Sequence, residues 1–313
     1  MGMDDPRLPL DVIALAEAQH GLLTTRQAAG LGIFDRNLSD LVRRRGLVHL
    51  NRGLYAVAHL VPDDPLERHG QLARGAMMLY PDAVLVGVTA AVARRLPLWR
   101  VDLTRAQLVR PAMRSVTTKA FHIRAGAVEH EESELGPVPA LADIIVQLAL
   151  DAGTVPAVCA ADAALHRGDL SFDALAEAVG CVDGWPRSAR ARAVLRQVDG
   201  LSESVGESRL RVGLTTMGLD LVAQEPVYDE RGQFVARPDL RVRGSRVVIE
   251  FDGKVKYTED GVDALVREKR REDRLRALGY LVVRVTWSEL DDLRFVLRGI
   301  QRALDATGRA AAS

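Results

Sequence analysis

Residues 238–254 read Pro-Asp-Leu-Arg-Val-Arg-Gly-Ser-Arg-Val-Val-Ile-Glu-Phe-Asp-Gly-Lys, and their types and spacing suit metal-assisted chemistry. The run predicts a β-hairpin that turns at Gly244-Ser245, with glycine at the first central position of a type II′ turn. That centre pairs Arg243 with Arg246, Arg241 with Val248 and Asp239 with Glu250. Side chains alternate along a strand, so Asp239, Glu250, Asp252 and Lys254 are expected on one face. Leu240, Val242, Val247, Ile249 and Phe251 fall on the other, and a wholly apolar face specifies register strongly. Two carboxylates ~4 Å apart repel by roughly 4 kcal/mol at an effective dielectric of ~20. Protonation, a cationic neighbour or a metal must relieve that repulsion. A hard divalent ion, Mg²⁺ or Mn²⁺, suits carboxylate and water ligands better than zinc does. A lysine beside such an ion would steady an attacking water or a developing phosphate charge, which is the arrangement of phosphodiester hydrolysis.

Lysine usage adds weight to this reading. Lys119, Lys254, Lys256 and Lys269 are the only lysines, and every other cation among the 42 is arginine. Two of the four therefore flank the acidic run, where a compact, titratable ammonium differs most from a guanidinium. The plainer alternative is an exposed strand end carrying two ordinary cations.

Pro238-Asp239 followed by Asp252-Gly253-Lys254 resembles the signature of PD-(D/E)XK nucleases. The longer run from Glu250 to Tyr257, with Glu268–Gly279 and Val283–Trp287, resembles a Vsr-like endonuclease domain across residues 200–295. That resemblance implies a restriction-endonuclease-like core with Asp239, Glu250 and Asp252 as metal ligands. It implies Lys254 or Lys256 as the catalytic cation, and Glu207 as an upstream helical glutamate of the site. Two registers stay open. Either Glu250 is the acid of the motif, with no lysine in its usual slot, or Asp252 is, with Lys254 in place. Glu207 also reads as a capping-box partner of Ser204 at a helix start.

Elements must hold these groups in place, and the N-terminal part predicts a second function-bearing one. Leu10–His20 is amphipathic, with Val12, Ile13, Leu15 and Ala16 on one face, and Gly21 ends it. Thr24 or Thr25 caps a short helix running to Ala29. A third helix is expected over Asp35–Arg45, closed by Gly46, with Leu38, Leu41 and Val42 inward. Leu47–Val57 alternates as a hairpin with Asn51-Arg52-Gly53 at its turn. Three helices and a basic-tipped hairpin suit a winged helix-turn-helix that inserts into the major groove. Arg26, Arg36, Asn37, Arg43, Arg44, Arg45 and Arg52 are then the groups for phosphates and base edges. Leu22–Ala28 and Arg52–Ala56 resemble the winged helix of AbiEi-type antitoxins. Proteins of that family repress their own operon, so the resemblance implies double-stranded DNA and a cognate toxin protein as partners.

The rest of the chain sets the frame. Its 313 residues allow two or three domains, and 48% hydrophobic with 27% charged residues is ordinary for a globular protein. No apolar run reaches the ~20 residues of a membrane span, so no membrane partner is expected. The N-terminus lacks a secretory signal, no Gly-rich loop implies a nucleotide cofactor, and the two isolated cysteines read as core thiols of a reduced cytosol. The formal net charge of zero argues against coating nucleic acid non-specifically. Residues 62–200 predict helices at Leu66–Leu79 and Val86–Leu96, strands at Ala106–Arg110 and Ala120–Arg124, and then several Ala-rich helices. The stretch resembles the connecting domain of AbiEi-like proteins. Glu129, Glu131, Glu132 and Glu134 read as a solvated loop. The helix around 265–276 offers Arg267, Arg270, Arg271 and Arg274 to solvent or phosphate, and Leu281–Trp287 is expected to be a buried strand.

The expectation is an α/β, α+β multidomain chain: a winged helix-turn-helix over 1–61, a mixed α/β connecting domain over 62–200, and an αβββαβ nuclease-like core over 201–313. Two functions stay open. One is a DNA endonuclease dependent on Mg²⁺ or Mn²⁺ and targeted by the winged helix. The other is a non-catalytic transcriptional regulator or antitoxin that uses the nuclease fold as a scaffold.

Overall fold

The computed structural model describes residues 8–253 and 261–311, with the side chains of 261–268 and 308–311 outside the description. Helix α1 (Leu10–Glu17) fully buries Val12 and Ala16 and ends where His20 and Gly21 both take positive φ. Strand β1 (Leu22–Thr24) leads into α2 (Thr25–Gly30). Thr24 caps α2 reciprocally: its hydroxyl accepts from Gln27 N at 3.3 Å, and its own N–H donates to Gln27 Oε1 at 3.0 Å. Helix α3 (Asp35–Arg43) buries Leu38 and stops two residues before the expected end. Arg45, not Gly46, takes the left-handed conformation, at φ +63°, and the next residue turns into the hairpin. Strands β2 (Leu47–Asn51) and β3 (Leu54–Val57) are joined by the two-residue loop Arg52-Gly53, with Gly53 at φ +81°. The sheet runs β1-β3-β2, antiparallel throughout, over a core of Val12, Leu23, Ala28, Leu38, Leu47 and Val57. This is the expected winged helix.

Helix α4 (Pro65–Leu79) starts at an Asp64 cap with proline at its first turn. It approaches β3 closely at Gly75, where a Cβ would lie 2.5 Å from Leu54 Cδ2. Then come β4 (Val84–Leu85), α5 (Gly87–Ala93), β5 (Ala106–Arg110), β6 (Val116–Thr117) and β7 (Phe121–Ala125). Their mixed sheet runs β4-β5-β7-β6, with β5 and β7 parallel. Buried His69 on α4 ties this layer together, its Nδ1 at 2.9 Å from Leu103 O and its Nε2 at 2.9 Å from Thr89 Oγ1. Burial holds its imidazole below the usual pKa. Glu131 and Glu134 of the acidic stretch pair with Arg94 and Arg95 and are exposed.

Helices α6 (Leu141–Asp151), α7 (Thr154–His166), α8 (Phe172–Cys181) and α9 (Ser188–Gln197) follow. Cys159 on α7 is a core thiol, pushed up to about 12 by burial, whereas Cys181 is exposed, contrary to expectation. By contact the chain divides into two compact units, Met1–Pro156 with Asp173–Ala191, and Ala157–Phe172 with Arg192–Ser313. Among the described residues no helix is long and apolar enough to cross a membrane.

In the second unit, α10 (Val205–Thr216) precedes β8 (Leu221–Ala223), β9 (Val227–Tyr228), β10 (Phe234–Ala236), β11 (Leu240–Val242) and β12 (Val247–Asp252). Helix α11 (Gly261–Ala277), strand β13 (Leu281–Thr286) and helix α12 (Leu293–Ala311) complete it. The main sheet runs β13-β12-β11-β8, with β12 and β13 parallel and the other pairs antiparallel. Leaving aside the β9–β10 ribbon, this is the expected αβββαβ order. Leu240, Val242, Val247 and Ile249 form a core with Leu210 and Leu214 of α10 and Val296 and Ile300 of α12. Strand β13 lies at the sheet edge with Leu281 and Arg284 exposed, so it is half-buried rather than buried as expected.

Candidate functional site

The acidic hairpin keeps the expected register: Leu240 pairs with Ile249 and Arg241 with Val248. Its turn differs. Gly244 (φ +71°) occupies the second central position of a turn closed by Ser245 N to Val242 O at 3.1 Å. The Ser245 hydroxyl also accepts from Val247 N, so residues 243–246 form a loop and Arg243 and Arg246 are not a ladder pair. The face expected to be polar is partly roofed. Val248 is fully buried, and its neighbour Val282 packs against Val227, Val235, Ala236 and Leu275 of the ribbon and α11.

Under that roof three acids converge. Asp239, one residue before β11, accepts from Phe251 N through Oδ2 at 2.7 Å, which anchors it across from Glu250. Burial pushes its carboxyl up to about 6, and the charges of Glu207 and Glu250 push the same way against the Phe251 bond and Arg271. Glu207, 8% exposed in the first turn of α10, completes a capping arrangement. It accepts from Ser204 Oγ at 2.7 Å through Oε1 and from Glu203 N at 2.9 Å through Oε2. The buried Gln224 amide donates to Glu207 Oε2 at 3.2 Å and to Asp239 Oδ1 at 3.5 Å. Gln224 does so from φ +52°, a strained backbone for a non-glycine residue, such as functional sites store.

Glu250 is held by cations. Arg271 of α11 grips it at 2.8 and 3.0 Å, and Arg284, its parallel-ladder partner, stands 4.0 Å away. Arg284 also bonds Glu272 at 2.9 Å, which fixes α11 over the strand. Asp252 ends β12 and is exposed. Lys254 and Lys256 lie outside the described residues, as does the side chain of Arg267. Of the other arginines assigned to phosphate on α11, Arg270 and Arg274 are exposed, whereas Arg271 is half-buried and turned to Glu250. A half-buried carboxylate at Glu250 demands a counter-charge, and Arg274 donates to Phe234 O at 3.2 Å and lies 3.6 Å from Asp229.

Among the described residues, the donor set as arranged does not fit a resident divalent ion. Both Glu207 oxygens are engaged by the helix start, a guanidinium sits on Glu250, and among the described residues no three His, Cys, Asp or Glu side chains group to hold a metal. Sequence reasoning missed Gln224, Arg271 and Arg284 as members of this cluster. Arg284 alone carried a signal, because it falls opposite Glu250 once β12 and β13 are set parallel.

The winged helix presents the opposite electrostatics. Arg26, Arg36, Asn37, Arg43, Arg44, Arg45 and Arg52 are all exposed. Arg36 and Asn37 lie in the first turn of α3, the part of a recognition helix that reaches base edges, and Arg52 stands at the tip of the wing. Arg43 pairs with Asp40 at 2.5 Å, which leaves the end of α3 to Arg44 and Arg45. Lys119 donates to His49 O in β2 at 2.7 Å and braces the wing from behind.

Residues 11–58 match the family model of the AbiEi antitoxin transcriptional regulators. The matched stretch runs from α1 to the end of β3, which is the winged helix, and does not reach the acidic cluster. No curated protein matches the sequence. Among solved structures, the chain is similar to the RV2827C protein of Mycobacterium tuberculosis, at 18% identity over 72% of this chain and 90% of that one, with a TM-score of 0.40.

Proposed function

We propose that this chain is a DNA-binding transcriptional regulator of the AbiEi antitoxin kind, with a toxin protein as its partner. The observation that carries the reading is the winged helix of residues 10–57, whose third helix and wing tip expose arginines and an asparagine within the family match. Arginine and asparagine make the bidentate contacts that read guanine and adenine in the major groove, while arginines on the phosphates set position. The C-terminal unit then acts as a scaffold, with Glu250 held by Arg271 and Arg284 and Glu207 engaged by a helix start. Fluorescence anisotropy with duplex DNA from the chain's own promoter tests this. Arg36→Ala and Asn37→Ala should each cost about 1–3 kcal/mol on the promoter and relax its preference over random DNA. Equal affinity for promoter and random duplexes would refute the reading.

A second reading, a metal-dependent endonuclease, is favoured by one observation: Glu207 and Asp239 share Gln224 while Glu250 stands opposite. It requires Arg271 to leave Glu250 before Mg²⁺ or Mn²⁺ could take Asp239, Glu250 and Asp252. Supercoiled plasmid with either ion decides it. Nicking that disappears in Asp239→Ala supports the nuclease, and comparing Lys254→Ala with Lys256→Ala assigns the cation. Tight DNA retention without cutting leaves the regulator.

A further inference from the structure

We propose that a cavity at the base of the winged helix binds a small amphiphilic acid, with an apolar body and one anionic head group, and that its occupation is transmitted to the winged helix. The cavity measures about 620 Å³, within the range of small-molecule sites. Leu66, Val92, Leu96, Pro97 and Leu135 supply apolar wall, so the body of the ligand is apolar.

Gly70 gives independent support. It lies in the interior of α4 and lines the cavity, although a helix-interior glycine is destabilising relative to alanine. Neither of the usual reasons holds it there. Its φ is not positive, and a Cβ would meet nothing nearer than Leu135 Cδ1 at 4.0 Å. On the same helix, Gly75 is required by its approach to Leu54. What the missing side chain of Gly70 preserves is the cavity itself.

The head group follows from the mouth. Arg74 and Arg95 border the cavity and share one acid, Glu134, at 3.8 and 2.5 Å. Arg95 and Glu134 are 79% and 58% exposed, so that pair is solvent-screened, and Arg74, 27% exposed and only 3.8 Å from Glu134, is the guanidinium that a carboxylate presented from within meets first. Glu67 also borders the cavity, and the head group is therefore assigned to the Arg74–Arg95 side.

The coupling follows from Gln71. Its buried side chain donates to His20 O at 2.7 Å and Leu60 O at 3.0 Å, which are the residue closing α1 and the residue just beyond the wing. Both Gln71 and His20 line the cavity, so a bound ligand rests on the joint that seats the winged helix on α4.

The test titrates octanoate and octanol into the full chain by calorimetry, with DNA affinity measured in the same samples. Octanoate should bind saturably at one site, and about tenfold tighter than octanol. Gly70→Leu fills the cavity while improving the helix, so it should keep or raise Tm and weaken octanoate at least about tenfold. Arg74→Gln with Arg95→Gln should weaken octanoate but not octanol. No saturable binding, octanol as tight as octanoate, or an unaffected Gly70→Leu would overturn the site. The coupling rests on the regulator reading: saturating octanoate should shift the DNA Kd at least about fivefold in wild type and not in Gly70→Leu. A chain that binds octanoate but no DNA sinks the regulator reading and leaves the site. A chain that binds both independently overturns the coupling.

Discussion

Asp239 and Asp162 are both acids withdrawn from water, and their neighbours give them different roles. Burial raises both, but Asp162 has a dedicated cation, Arg211 at 2.6 Å, and also accepts from Asp199 N at 2.7 Å. Asp239 has like-charged neighbours in Glu207 and Glu250, and its donors are neutral: the Phe251 N–H at 2.7 Å and the Gln224 amide at 3.5 Å. Its folded pKa of about 6 lies above the ordinary 3.8, so the folded chain binds a proton more tightly than the unfolded chain does. Stability therefore falls as pH rises through that window, and the deficit is complete above it. Asp239→Asn removes the deficit, because an amide oxygen can still accept from Phe251 N. Its stability relative to wild type should rise between about pH 4 and pH 7 in urea unfolding, and parallel curves would contradict this. For the paired acid the expectation reverses: Asp162→Ala strands a buried guanidinium and should cost about 3–5 kcal/mol, whereas Asp162→Leu with Arg211→Met should cost far less.

Elements whose signals are local were the most legible. Thr24 and Gln27 are three residues apart, and their reciprocal cap marks the start of α2 in the sequence and in the fold alike. Thr24→Ala should lower stability by about 1 kcal/mol by thermal or urea unfolding. The acidic hairpin was equally legible in register, because a one-residue slip would carry Leu240, Val242, Val247 and Ile249 out of the core. Its turn was less so: Gly244 supplies the positive φ that either placement needs, and Ser245's side-chain bonds to Val242 O and Val247 N determine which one forms. Packing between elements left fainter marks. Nothing in the sequence separates Gly75, held by Leu54, from Gly70, which nothing crowds. Gly75→Ala should cost about 1–3 kcal/mol through that overlap, measured against a Gly70→Ala control that stabilises the helix.

Across the whole molecule, zero net charge conceals a strong local imbalance. Six of the exposed basic groups assigned to DNA, Arg26, Arg36, Arg43, Arg44, Arg45 and Arg52, belong to the winged helix, while Arg271 and Arg284 of the second unit are held on Glu250. Each phosphate contact contributes about −0.9 to the slope of log affinity against log salt, so six contacts per chain should give a slope no steeper than about −5.4, and Arg52→Ala should reduce it by about 1. A steeper slope would require phosphate contacts outside residues 10–57. The sequence by itself determined the winged helix, the αβββαβ order and the facing of Asp239 and Glu250, because caps, turns and two-residue alternation act over a few residues. Only the tertiary structure decided what those acids meet. The parallel β12–β13 pairing aligns Arg284 with Glu250, α11 lays Arg271 across it, and Gln224, the residue after β8, bridges Glu207 and Asp239. Those contacts join residues far apart in the chain, and no local preference specifies which arginine comes to rest on which carboxylate.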